Sequence, residues 1–153
     1  MRPAEEIRYL ILAAQREGNR QLAEALKPLG LTPSQAEVVR LVADHQPLTM
    51  KELGGLLICE SGTNPSRLVD RLVVGGLIQR NIDVDDRRAV KLTLGTKGAA
   101  AAAHIAGIEE AMYAMIDKKA TQADSEGLIS SLRALVDGHP AGDAIERRKH
   151  LNL

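Results

Sequence analysis

The stretch that most constrains this chain is residues 63–77, TNPSRLVDRLVVGGL. Asn64 suits an N-cap, because its side-chain oxygen can take a hydrogen bond from a free N–H of the first helical turn. Pro65 suits the first helical position, where a missing N–H costs nothing and φ is already near the helical value. Leu68, Val69, Leu72 and Val73 recur at three- and four-residue steps and make one apolar face. Ser66, Arg67, Asp70 and Arg71 fall on the other, and Gly75-Gly76 supplies a left-handed stop. The segment reads as a short helix with an apolar back, two arginines in front and defined ends.

Its flanks say what the front faces. Upstream, Thr49-Met-Lys-Glu52 reads as a capping box, starting a helix through about Leu57 with Leu53, Leu56 and Leu57 inward. A turn through residues 59–62 joins the two helices into a helix–turn–helix. Downstream, residues 77–82 (LIQRNI) and 89–94 (AVKLTL) alternate as short strands around a polar tip, DVDDRR at 83–88. Helix–turn–helix followed by such a hairpin is a winged helix. Its second helix can enter a DNA major groove, whose donor and acceptor pattern is unambiguous. The wing can bring Arg87 or Arg88 to phosphates or the neighbouring minor groove. Arg67, in the first turn, is the candidate for base edges, and Arg71 is better placed for phosphate. Thr49, Lys51 and Ser66 are candidate phosphate donors. With Asn64, Arg87 and Arg88 they complete the expected DNA-binding set, and Asp86 is expected to orient Arg88.

The pattern KELGGLL, SGT, SRLVDRL, GGLIQR, DVDDRRAVKLTL, TKG resembles the MarR family of bacterial transcription factors over roughly residues 31–98. The Asp-Arg-Arg wing motif at this distance from Ser-Arg-Leu-Val-Asp-Arg-Leu is the specific part. Three departures stand out. Two residues, Asn64 and Pro65, separate the threonine and serine of the recognition helix where the family usually has one. Gly54-Gly55 sits where a helix former is usual, at a cost of roughly 1 kcal/mol per glycine relative to alanine. Gly95 replaces the usual threonine after the second wing strand. The resemblance implies a homodimeric repressor in the bacterial cytoplasm. It also implies release by a small ligand, often an anionic phenolic compound, held where the dimerisation helices meet the winged helix.

The chain has 153 residues, enough for one domain with a core of its own. It holds no Phe or Trp and only 2 Tyr, so Leu, Ile, Val, Ala and Met must fill that core. Formal net charge is zero, which excludes a generic polyanion binder and requires a local basic patch. Between Thr63 and Lys97 seven basic residues (Arg67, Arg71, Arg80, Arg87, Arg88, Lys91, Lys97) face four acidic ones (Asp70, Asp83, Asp85, Asp86). That excess matters only if the fold gathers the arginines on one side.

The remaining sequence is helical. Residues 3–27 form a first helix weakened by Gly18-Asn19 and broken at Pro28-Leu-Gly30. Thr32-Pro33 restarts one that runs to about Asp44. A long alanine-rich helix from about Thr96 to Lys118 is apolar nearly all round, which predicts burial on several sides. Thr121 and Asp124 can cap a helix to Val136, and after Gly138-His-Pro140 comes a last charged turn or helix. The expected organisation is a single domain over 1–153, mainly α with a small β-hairpin wing. Residues 31–98 are the winged helix-turn-helix, and 3–27 with 99–153 are a helical dimerisation region. Amphipathic helices at both chain ends are most simply buried by the same helices of a second copy, under two-fold symmetry.

Arg67 and Arg71 could simply pair with Asp70. The lone Cys59 fits a reducing compartment. A redox-responsive regulator acting through Cys59 is an alternative, but peroxide-sensing relatives carry their cysteine near the first helix, and Cys59 has no His or basic sequence neighbour to lower its pKa; a small apolar residue under the turn is the plainer expectation. His45, His104, His139 and His150 are scattered without metal-ligand spacing. Met112, Tyr113 and Met115 could line a ligand cavity or be core, and Tyr9 is equally ambiguous. No phosphate loop, nucleophile elbow or ligand cluster points to an enzyme, and no cofactor, signal peptide or membrane span is expected. A winged helix used only for protein contact is the remaining alternative, against which stand arginines on both helix and wing.

Overall fold

The computed structural model describes residues 1–59, 64–83 and 90–151. The turn residues Glu60, Ser61, Gly62 and Thr63, and the hairpin tip with Asp86, Arg87 and Arg88, lie outside the described residues. In chain order the elements are α1 (Pro3–Leu26), a 3-10 turn (Lys27–Leu29), α2 (Pro33–His45), β1 (Leu48–Thr49), α3 (Met50–Leu56) and α4 (Pro65–Val74). There follow β2 (Ile78–Ile82), β3 (Val90–Leu94), α5 (Gly98–Lys119), α6 (Gln122–Val136) and α7 (Pro140–Leu151). The result is mainly helical with a small antiparallel sheet, a winged helix-turn-helix set between terminal helices.

Local chemistry sets the helix ends. Thr32 and Gln35 form a capping box at α2, as Thr49 and Glu52 do at α3. At α4 the Asn64 side-chain oxygen accepts from Ser66 N–H at 2.8 Å, and Pro65 occupies the first turn. The stop of α4 falls on one glycine of the expected pair. Gly75 stays right-handed and only Gly76 has positive φ, at 75°. Leu77 N–H then reaches Leu72 O at 2.9 Å and Gly76 N–H reaches Val73 O at 3.0 Å, the paired bonds of a Schellman stop. Gly18-Asn19 does not interrupt α1, which runs unbroken to Leu26.

The sheet has one strand more than expected. Its order is β1-β3-β2, all antiparallel, with Leu48 and Arg80 both opposite Leu92. The Gln46 side chain extends this edge by accepting from Leu94 N–H at 2.9 Å.

The core centres on α2. Val38, Val39 and Val42 are fully buried, met by Leu53 and Leu56 of α3, Leu68, Val69 and Leu72 of α4, Ile78 and Leu92 of the sheet, and Ala101, Ala102 and Ile105 of α5. Full burial of such a side chain contributes roughly 1.5–3 kcal/mol, so aliphatic residues suffice here without Phe or Trp.

The expected burial of the long helix on several sides is corrected. Only Gly98, Ala101, Ala102 and Ile105 of α5 are buried, because its first turns pack closely on α2 while its later turns are half-buried or exposed. Tyr113 and Ile116 stand exposed there. No helix among the described residues is long and apolar enough to cross a membrane.

Where α5 begins, backbone meets backbone. A Cβ added at Gly98 would lie 2.3 Å from Leu77 O and 3.0 Å from Leu94 Cβ. Gly98→Ala is therefore expected to lower stability by about 1–3 kcal/mol, the usual cost of overpacking. The reading is a lower urea midpoint at unchanged slope; an unmoved midpoint contradicts this close approach.

Candidate nucleic-acid interface

The back of α4 is sealed and its front is open. Leu68, Val69 and Leu72 are buried, while Ser66, Arg67, Asp70 and Arg71 are exposed. Asp70 does not neutralise its helix neighbours. Its carboxylate turns to the sheet and pairs with Arg80 at 2.7 Å, so neither Arg67 nor Arg71 has an ion-pair partner among the described residues. Lys91 is likewise drawn off, 3.7 Å from Asp83. Among the described residues, Arg67 and Arg71 thus leave positive charge on the exposed face of α4.

The other candidates are placed unevenly. Lys51 is exposed on α3. Asn64 spends its side-chain oxygen on the cap and keeps its amide N–H₂ to donate. Thr49 is fully engaged. Its hydroxyl donates to Glu52 Oε2 at 2.8 Å and accepts from Glu52 N–H at 3.1 Å, while its own N–H donates to Glu52 Oε2 at 2.7 Å. These bonds, the backbone one first, hold the Glu52 carboxyl below the usual range. Thr49 has no hydrogen left for a phosphate. Arg87, Arg88 and Asp86 lie outside the described residues.

Cys59 is exposed, not a buried apolar residue. Its N–H donates to Glu37 Oε2 at 2.9 Å, and desolvation, then the Glu37 charge and a hydrogen bond to it, push its thiol up to about 11. The four histidines join no metal-holding group among the described residues. Met112 and Met115, with Gln21, Ala25, His104 and Ile108, line a hollow of about 570 Å³ between α1 and α5; Tyr113 is not part of it. Tyr9 is exposed, with the Arg8 guanidinium 5.2 Å from its ring centre.

A MarR family model matches residues 31–90. The chain is also 31% identical, over 99 residues, to the organic hydroperoxide resistance transcriptional regulator of Bacillus subtilis (strain 168), across 65% of this chain and 67% of that protein. The chain belongs to the MarR family. It is 34% identical over 91 residues to the multiple antibiotic resistance protein MarR of Escherichia coli (strain K12), covering 60% of this chain and 62% of that one. A cysteine-to-serine mutant of Escherichia coli MarR, solved in complex with operator DNA, superposes with TM-score 0.73 at 26% identity, over 89% of this chain and 99% of that one. These MarR relatives are transcriptional regulators, not enzymes.

Membership in the MarR family sharpens the question about Cys59, since one relative is named for hydroperoxide resistance. A thiol with pKa near 11 is almost wholly protonated at neutral pH, and only the thiolate is an effective nucleophile. Alkylation of Cys59 is expected to be slow at pH 7 and to climb with a midpoint near 11. Cys59→Ser should leave any peroxide response unchanged. A midpoint below 8, or a response abolished by the serine, would make Cys59 a redox switch after all.

Proposed function

We propose that this chain is a DNA-binding transcriptional regulator that acts in the cytoplasm as a homodimeric repressor on an inverted-repeat operator. The observation that carries the reading is the exposed arginine face of α4, where Arg67 and Arg71 have no ion-pair partner among the described residues and Asp70 is held by Arg80. Arg67 then reads base edges, Arg71 and Lys51 meet phosphates, and Ser66 and Asn64 donate beside them. Arg87 and Arg88 are proposed as the wing contacts.

The dimer is supported by apolar surface that one chain leaves open. On α6, Leu128 is 55% and Leu135 59% exposed, with Ile129 and Leu132 beside them, and α1 shows Ile7, Leu10, Ile11 and Leu12. Leu135 lines one shared hollow with Ile7, Ile11 and Leu12 of α1, so the two faces are continuous. Patches of this kind mark interaction surfaces. We place the dimerisation region in α1 and the helices after residue 98, and the DNA-binding region within 31–98. The hollow between α1 and α5 is proposed to take a small apolar, phenolic-type effector whose binding favours a spacing of the two α4 helices that no longer fits DNA.

The second reading, a winged helix for protein contact alone, differs in its response to salt. Affinity for a duplex should fall steeply as salt rises, with a slope of about −0.9 per phosphate neutralised. Arg67→Ala is expected to cost about 1–3 kcal/mol at a base-reading position and to relax sequence preference, measured by fluorescence anisotropy across operator variants. Replacing Arg87 and Arg88 together by alanine should weaken every duplex alike and flatten the salt slope. Unaltered relative affinities in the first case, or an unaltered slope in the second, contradict those assignments.

A further inference from the structure

Glu37, on α2, gathers the segment that leaves α3. Its Oε1 accepts from Ile58 N–H at 2.9 Å and from Arg148 Nη2, and its Oε2 accepts from Cys59 N–H at 2.9 Å. Arg148 Nε donates to Leu56 O and Arg147 Nε to Gly55 O, each at 2.8 Å. Those carbonyls belong to the last turn of α3, where acceptors lack helical partners and the helix end is negative. Both arginines come from α7, ninety-two residues along the chain. The Glu37 side chain is only 9% exposed and that of Arg148 29%, so the carboxylate depends on this cation.

The other end of α7 is equally fixed. Gly142 is buried so close to α6 that a Cβ there would lie 2.3 Å from Val136 O. Helix α7 therefore joins the end of α6, whose leucines are open to a second copy, to the segment that precedes the arginine-bearing helix.

We propose that Glu37 and Arg148 are positioning residues, through which α7 holds the segment after α3 and sets where α4 begins relative to α6. The consequence for DNA rests on the reading of α4 given above, but the latch itself does not. Through this ion pair and the arginine bonds to the end of α3, whatever covers α6 is tied to the placement of Arg67 and Arg71.

Amide hydrogen exchange on the full chain, followed by NMR, tests this in Arg148→Met. Because that change strands a nearly buried carboxylate, Glu37→Gln is measured beside it; a single amide oxygen cannot serve both Oε1 and Oε2 partners. In both variants the Ile58 and Cys59 amides should exchange about tenfold faster, the factor that corresponds to ~1.4 kcal/mol. The Ser66 and Arg67 amides should also speed up, while Val38 and Val39 in the core keep their rates. Affinity for a duplex selected by the unaltered protein should fall about fivefold or more, the low end of typical coupling. Arg148→Lys, which keeps the charge but not the forked geometry, should fall between. Unchanged Ile58 and Cys59 rates overturn the proposal. So does acceleration of every amide together, which is loss of stability alone, or faster turn amides with α4 rates and affinity untouched. If the unaltered protein binds no duplex, the DNA-binding reading fails and the Ser66 and Arg67 rates decide the latch: faster supports it, unchanged overturns it.

Discussion

Burial of Leu68, Val69 and Leu72 against the valines of α2 is the constraint on which the rest depends. A helix of ten residues is too short to persist alone in water, so α4 exists because its back is held. Fixing the back fixes the front, and the residues between the buried positions must face outward. What the front shows is then decided by one withdrawal. With Asp70 taken up by Arg80 of the sheet, the outward face carries positive charge with no ion-pair partner among the described residues.

Features that depend on a few adjacent residues were legible in the sequence. The Thr32, Thr49 and Asn64 caps, the Pro65 start and the glycine stop each follow from chemistry within one helical turn, and the structure has all of them. Features that depend on distant partners were not. Leu48-Thr49 becomes a strand only because Lys91 and Leu92 lie beside it. The alanine-rich helix reads as enclosed, since periodicity reports how apolar a surface is and not whether this chain covers it. At the candidate site, exposure of Arg67 and Arg71 and the capping bonds of Thr49 were legible, while the diversion of Asp70 to Arg80 needed the tertiary structure.

The last helix is the clearest omission. Arg147 and Arg148 fall in what reads as a last charged turn or helix, yet they cap α3. One signal was present: Gly54-Gly55, set where the family has a helix former. A Cβ at Gly55 would lie 3.5 Å from the Arg147 guanidinium, at ordinary contact distance, so the arginine lies directly over this glycine. The departure that weakens α3 by propensity coincides with the contact that holds its end from outside.

Zero net charge and a wide apolar surface on α1, α5 and α6 are consistent with one design. Attraction to DNA is local, and geometry rather than bulk charge must supply the affinity. On this account two α4 helices stand about 34–36 Å apart, one turn of the duplex. The most direct measurement takes an operator selected from random duplexes and inserts base pairs between its half-sites. Insertion of about half a helical turn, roughly five base pairs, turns one half-site to the opposite face. The account predicts that binding collapses to the non-specific level. Affinity indifferent to that insertion would contradict it.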